Sequence, residues 1–573
     1  MRTDHTRPDP PGPGTDPANA GLGPATARLD PTGARLDRTG AGADRDGIVQ
    51  LGEAPDSTTN VDPATARPDP TGAGIDPDGI FQLVEALDST PGVEPHTLVI
   101  LRHGRLAARG GWYPYTPDRP QLLYSLSKSF TATALGLAVD AGLVDLDEPF
   151  IDFFPEVDRP DLPERTRRLL LRHLASMTTG QVEEQWSLLT ETPPDGLFQA
   201  FAQAERPAEP GTLFAYNQLA TYSIAEIVRR RSGQRLFDFL QERLFEPLKM
   251  DAAGWQQFLA GHDLGFTGLF ASADSVAKLG QLYLRHGLWN GQRILSTTWV
   301  DQASRVQIPT ATETNQENPD WQTGYGFHFW VSRHGYRGDG AFGQYCLILP
   351  EQDMVVALTS QTIAMQTVLD LVWQHLLPAA GRASTAQVGD PFAGRGLPLP
   401  NLGGPQAGLA VARLGAVSDG TAPDGVDALG GRASQDGAAG PNSVSFRSLA
   451  VESVSAIQNP GGIKPPPLTR ADLHLTDGAG TIRLTDGGLS LTLAARRGQW
   501  AITEPGPDSP IAVAVAIDWD AASLRADLLF LETPHHAVLT CDNTSGKGRF
   551  EWITAPLIAN SLRDLGACCT AGS

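Results

Sequence analysis

Apolar positions along this chain change period several times, and each change marks an element. Ile80, Phe81, Leu83, Val84 and Leu87 recur at helical spacing and predict a helix opening a folded region near Asp78. His96–Arg102 then reads as a strand, His103-Gly104 as a tight turn, and Arg105–Trp112 as the returning arm of a hairpin. From Phe130 to Val139 apolar and small residues dominate, which predicts a helix buried nearly all round and ending near Gly142. A mostly helical stretch follows, from about 166 to 305. Strand patterns return at Gly324–Val331, Tyr345–Leu349 and Met354–Thr359, and a last helix covers about 362 to 377. Hairpin first, helices next, strands and a terminal helix last: that order suits an α+β domain. Its antiparallel sheet is flanked by helices, draws edge strands from both ends of the domain, and carries an inserted helical lobe.

The flanks read differently. Residues 1–76 are rich in Pro, Gly, Ala, Asp and Thr and poor in large apolar side chains, so a disordered low-complexity region is expected there. The stretch Thr39–Thr58 is echoed by Thr71–Thr90, as a partial duplication of the first helix would leave it. The folded domain is placed at 77–380, a Gly/Ala-rich linker at 381–445, and a small β-domain at 446–562. A tail covers 563–573. Alternating segments such as Gly480–Leu484, Leu489–Leu493, Ile511–Ile517 and His536–Cys541 define the β-domain, which shows no catalytic constellation.

Composition narrows the function classes. The chain has 573 residues, enough for two or three domains, and a net charge of -21, which argues against nucleic acid and anionic membrane as partners. Its four cysteines (Cys346, Cys541, Cys568, Cys569) form neither a CxxC nor a paired framework, so neither structural zinc nor a disulfide scaffold is expected, and no cofactor or metal is implied by the chemistry of the motifs. No apolar run reaches 18 residues and no secretory pattern opens the chain, so a cytoplasmic location is expected. Protein partners are left open.

One stretch carries chemistry. Ser125 and Lys128 are three residues apart at the start of the buried helix, on one face and within side-chain reach. A serine hydroxyl needs a base beside it to act as a nucleophile. A lysine serves only when uncharged, and burial favours that form. A second such pair, Ser275 and Lys278, opens an amphipathic run and reads as a solvated lysine on a surface helix.

Other segments fix a resemblance. The stretch from Arg172 to Gly180 resembles the "hLLsMtSG" segment of the serine β-lactamase and penicillin-binding-protein-like family, in its class C β-lactamase and esterase branch. Pro210–Gln218 with Pro247-Leu248, Gly265–Asp274, and Gly338–Gln344 resemble further segments of that family in the right order. The resemblance covers roughly residues 78 to 380. It implies a β-lactamase/transpeptidase-like fold, with Ser125 as nucleophile, Lys128 as its basic neighbour, and Tyr216 as the phenol that shuttles a proton. A phenol near an ammonium is expected to have a lowered pKa.

The chain departs from the family pattern twice. Asn217 directly follows Tyr216 and Gln218 holds the expected amide slot, so either amide can bind a substrate carbonyl. Where antibiotic-binding members have Lys-Thr-Gly, this chain has Gly338-Asp339-Gly340, which does not attract a substrate carboxylate. Gly340 lets backbone approach closely, and the N–H of Ala341 is positioned to join that of Ser125 as an oxyanion hole. Arg337 is expected at the surface. A dinucleotide fingerprint at Gly338–Gly343 is rejected because a strand, not a helix, follows it. No Gly-x-Ser-x-Gly elbow and no Walker motif occurs. The expectation is a serine hydrolase acting through an acyl-enzyme on a small-molecule ester or amide. The alternatives are a β-lactamase or D-Ala-D-Ala carboxypeptidase of the same fold, or a non-catalytic binding protein.

Overall fold

Strand β1 (Val93–Arg102) turns through His103 and Gly104, whose φ values of 52° and 70° make the left-handed pair that a two-residue hairpin needs, into β2 (Arg105–Gly111). The computed structural model describes residues 60–382 apart from 183, 185 and 313–315, then 389–400, the strand at 443–455, and 468–567 apart from 487–488, 508, 521, 543–544, 546 and 558–560. The upstream copy of the repeat, Cys568 and Cys569 lie outside the described residues.

Later strands complete the sheet: β3 (Gly324–Tyr325), β4 (Trp330–Val331), β5 (Tyr336–Gly340), β6 (Gln344–Leu349) and β7 (Met354–Thr362). The order is β3-β4-β5-β6-β7-β1-β2, antiparallel throughout, so one edge comes from each end of the domain. The predicted single strand over Gly324–Val331 is instead a hairpin. His328 sits at φ 57° between its arms and turns the chain back.

Helices cover the sheet and fill the lobe. The stripe of α1 (Pro77–Ser89) buries Ile80, Leu83, Val84 and Leu87. In α2 (Ser127–Asp140) every residue from Ser127 to Ala138 is buried. Each fully buried Leu or Phe contributes about 1.5–3 kcal/mol relative to exposure, so this helix can hold a buried lysine as well. The lobe includes α3 (Gln218–Ser232), capped by Asn217, whose Oδ1 accepts from Ala220 N at 3.1 Å. The stretch predicted as mostly helical also contains short strands. Leu269–Ala271 pairs with both Gln121–Leu122 and Ala252–Trp255.

Three expectations are corrected. Residues 60–76 were assigned to the disordered region, yet Ala73 and Ile75 are buried and Asp62 Oδ1 pairs with Lys278 Nζ at 3.0 Å. Lys278 is 1% exposed on α4 (Ala273–Leu284) and also donates to Lys249 O, so it is an interior anchor and not a solvated lysine. Phe392 and Leu397, placed in the linker, are buried. The last helix of the sheet domain is α5 (Met365–His375).

The C-terminal domain is a nine-stranded sheet. Its strands are β8 (Ser443–Ser455), β9 (Arg470–Thr476), β10 (Ala479–Asp486), β11 (Leu489–Arg497), β12 (Ala501–Thr503), β13 (Val513–Trp519), β14 (Ser523–Phe530), β15 (His535–Asp542) and β16 (Gly548–Trp552). They run in the order β11-β10-β9-β8-β16-β15-β14-β13-β12, and β11 also pairs with β13 through Arg496 and Arg497, which curls the sheet toward closure. The helical turn Leu562–Leu565 buries both of its leucines, so the packed region runs past the expected tail boundary at 563. No helix among the described residues is long and apolar enough to cross a membrane.

Candidate active site

Ser125 lies in a 3-10 turn, Tyr124–Leu126, that feeds α2. Neighbouring backbone clamps the turn. Leu123 N donates to Leu269 O at 2.9 Å, and Ser127 Oγ accepts from Leu269 N at 3.1 Å. Strand β5 presses against its other side. A Cβ on Gly340 would stand 2.1 Å from Leu123 O and 3.1 Å from Ser125 N, so only glycine fits. Ala341 follows at once, which brings its backbone next to the turn.

Lys128 is 1% exposed. Its Nζ contacts Ser125 Oγ at 3.1 Å, Gln218 Oε1 at 2.6 Å and Phe266 O at 2.9 Å, and lies 4.6 Å from the centre of the Tyr216 ring. Gln218 Oε1 and Phe266 O only accept. A neutral amine therefore satisfies both with its two hydrogens and turns its lone pair to the Ser125 hydroxyl. Burial pushes Lys128 well below the usual lysine value; the charges of Glu184 and Asp339 oppose this in part. Lys128 and Ser125 are thus brought together as the spacing predicted.

Tyr216 stacks on Trp330, with ring centroids 6.1 Å apart and 10° between planes, and its phenol interacts with Ser125. The expectation of a lowered pKa fails. Burial raises the phenol well above its ordinary value and outweighs the opposing interaction with Ser125. Tyr216 therefore rests as a neutral phenol, a proton donor.

The two amides separate. Asn217 is fully buried, its Oδ1 spent on the helix cap and its Nδ2 on Gln181 Oε1 at 2.5 Å. Gln218 faces Lys128. Of the two candidates for a carbonyl-binding amide, only Gln218 reaches the site; Asn217 is withdrawn on this geometry.

Arg337, expected at the surface, is fully buried over the Trp321 ring at 4.3 Å, and its Nε and Nη2 both lie 3.0 Å from Asp339 Oδ2. Asp339 is therefore a paired acid rather than a lone charge. Burial raises its pKa and Arg337 pulls it back. Sequence reasoning missed Glu184. Its carboxylate, raised by burial, interacts with Lys128 and Gln218, while Oε1 is buried without a hydrogen-bond partner. It sits in irregular chain just after the segment ending at Gly180, where no periodicity points inward.

The chain matches the Beta-lactamase family model over residues 80–367, half of its length, and belongs to that family. Esterase/beta-lactamase LipL of Mycobacterium tuberculosis is 28% identical over 149 residues, which are 25% of this chain and 33% of that protein. The match thus spans about a third of LipL. The 6-aminohexanoate-dimer hydrolase of Paenarthrobacter ureafaciens is 23% identical over 289 residues, 46% of this chain and 71% of that protein. A crystal structure of SurE with D-Leu covers 80% of this chain and 98% of that one, with 19% identity and a TM-score of 0.43. The family match over the sheet domain and its helical lobe defines a β-lactamase-family protein.

Proposed function

We propose that this protein is a hydrolase that works through an acyl-enzyme on Ser125, with esters as its first substrate class and amides as its second. The contact that carries the reading is Lys128 Nζ at 3.1 Å from Ser125 Oγ, on a lysine that burial drives toward its neutral form. In the proposed sequence Lys128 accepts the Ser125 proton as Oγ attacks the substrate carbonyl. The Ser125 and Ala341 N–H groups hold the oxyanion, and Tyr216 passes a proton to the departing alcohol or amine. Water then attacks the acyl-enzyme and gives a proton to the Tyr216 phenolate, Oγ leaves and takes its proton back from Lys128, and the acid is released. Gly338-Asp339-Gly340 provides no cation of its own for a substrate carboxylate, and the neighbouring Arg337 is engaged by Asp339. This favours substrates without a carboxylate over β-lactams and D-Ala-D-Ala peptides.

The test is hydrolysis of short-chain aryl esters by the full-length protein, beside a chromogenic cephalosporin. Acid release that disappears in Ser125→Ala is the expected result. Unchanged turnover in that variant refutes the nucleophile, and faster cephalosporin than ester cleavage moves the substrate class to β-lactams. Failure of both substrates and of fluorophosphonate labelling at Ser125 returns the chain to a binding role.

A further inference from the structure

The two residues next to the proposed oxyanion donors share an unusual backbone. Tyr124, just before Ser125, has φ 48°, and Phe342, just after Ala341, has φ 65°. A non-glycine residue in the left-handed region is strained and persists only where its surroundings hold it. What holds both side chains is the C-terminal domain.

His535, the first residue of β15, is fully buried and stands against both rings. Its imidazole lies 5.9 Å from the Tyr124 ring and 5.8 Å from the Phe342 ring, edge-on to each, and the two rings meet edge-on at 5.4 Å. The Tyr124 hydroxyl is 2.7 Å from His535 Nε2. Thr554 O, 3.2 Å from Nδ1, only accepts, so Nδ1 carries the hydrogen and Nε2 must accept from Tyr124. Burial holds this imidazole neutral, its pKa lowered to about 3. Leu557 N donates to the same Tyr124 oxygen at 3.4 Å. The phenol is thus held from two sides by groups of the C-terminal domain. Glu532 O accepts from Leu122 N at 2.8 Å, and Ala567 packs into the apolar cluster of Leu122, Tyr124, Phe270, Ala341 and Phe342.

We infer that His535 is a positioning residue for the hydrolytic site: it fixes Tyr124 and Phe342, and through them the backbone N–H groups of Ser125 and Ala341. The β-domain then completes the oxyanion hole without contributing an atom that touches substrate. This rests on the serine-hydrolase reading above.

The experiment compares full-length wild type with Tyr124→Phe, His535→Phe and His535→Gln, reading kcat and KM on an aryl ester, the rate of fluorophosphonate labelling at Ser125, and thermal stability. Loss of a whole oxyanion donor costs about 10²- to 10³-fold in kcat. A displaced donor is expected to cost roughly 10- to 100-fold, in Tyr124→Phe and His535→Phe alike, with KM nearly unchanged and labelling slowed in parallel. Glutamine retains an acceptor for the Tyr124 hydroxyl, so His535→Gln is expected to recover much of the loss. Wild-type kcat in both phenylalanine variants overturns the inference while leaving the serine-hydrolase reading intact. So does a loss that tracks thermal stability in all three variants with no recovery in His535→Gln, since His535 is then a packing residue alone. A wild-type protein that neither turns over nor labels sinks the underlying reading instead.

Discussion

At the scale of single residues, the decisive circumstance is where Lys128 is kept. Its ammonium would be stable in water, but between α2 and the Phe266 carbonyl its charge is poorly tolerated. With Lys128 as the proposed base, kcat/KM is expected to have an acidic limb: activity rises with pH as Lys128 loses its proton, with a midpoint well below the ordinary lysine value of 10.5. A pH–rate profile checks the sign. Lys128→Met is expected to lower kcat by about 10²- to 10⁴-fold, and Lys128→Arg to do no better, because a guanidinium does not give up its proton. The amides make a second prediction. Gln218→Ala should reduce turnover with little change in melting temperature. Asn217→Ala removes a helix cap and should cost about 1 kcal/mol of stability, read by denaturant titration, with a smaller direct effect on the chemistry. Much of this site was legible early. Three-residue spacing on a buried helix brought Ser125 and Lys128 together, and the segment ending at Gln218 supplied Tyr216. What stayed hidden was environment. The spacing of Lys278 resembles that of Lys128, and only the packing of residues 60–76 shows that it is interior as well. The direction of the Tyr216 shift likewise depended on burial, which one neighbouring charge did not reveal.

Among elements, β13 shows how a strand can serve two cores. Val513, Val515 and Ile517 face the interior of the C-terminal domain, and the alternate positions Ala514 and Ala516 pack into the core of the α+β domain. The pattern Ile-Ala-Val-Ala-Val-Ala-Ile is readable as a strand, but nothing in it says what covers the small residues. They are small because another domain lies on them. Ala514→Asp would bury an unpaired carboxylate there; a destabilisation of about 3 kcal/mol or more is expected, measured as a lower melting temperature. The hairpin at His103-Gly104 was legible to the residue because its turn chemistry is local. The split of Gly324–Val331 was not, since a histidine at φ 57° is imposed by its surroundings and has no sequence signature.

For the molecule as a whole, one charged cluster ties the two domains. His536 on β15 lies 3.5 Å from Glu94 on β1 and 3.1 Å from Asp527 on β14; Arg525 flanks Asp527 at 2.7 Å and His96 lies 3.3 Å from Glu94. Burial opposes charge throughout the cluster, yet the acid partners raise His536 from 6.5 to about 9 and the histidines lower Glu94 from 4.5 to about 2. A raised histidine stabilises the fold fully below its unfolded value and loses this as pH climbs through the folded one. A depressed carboxylate does the reverse. The contribution of this cluster is therefore greatest between pH 4.5 and 6.5, declines as pH rises through about 9, and declines again on the acid side toward about 2. Melting temperature against pH should lose its alkaline decline in part in His536→Gln.

The pairing of Asp62 with Lys278 reaches further than its size suggests. Composition invites anyone trimming this protein to begin at Pro77, where the helix starts and the low-complexity stretch gives way to apolar residues. A molecule shortened there would leave an ammonium walled into α4 with its counter-ion cut away, and the cost would surface as poor solubility or low yield, far from any chemistry at Ser125. The practical amino-terminal limit of the β-lactamase-family domain is thus set by the carboxylate of Asp62.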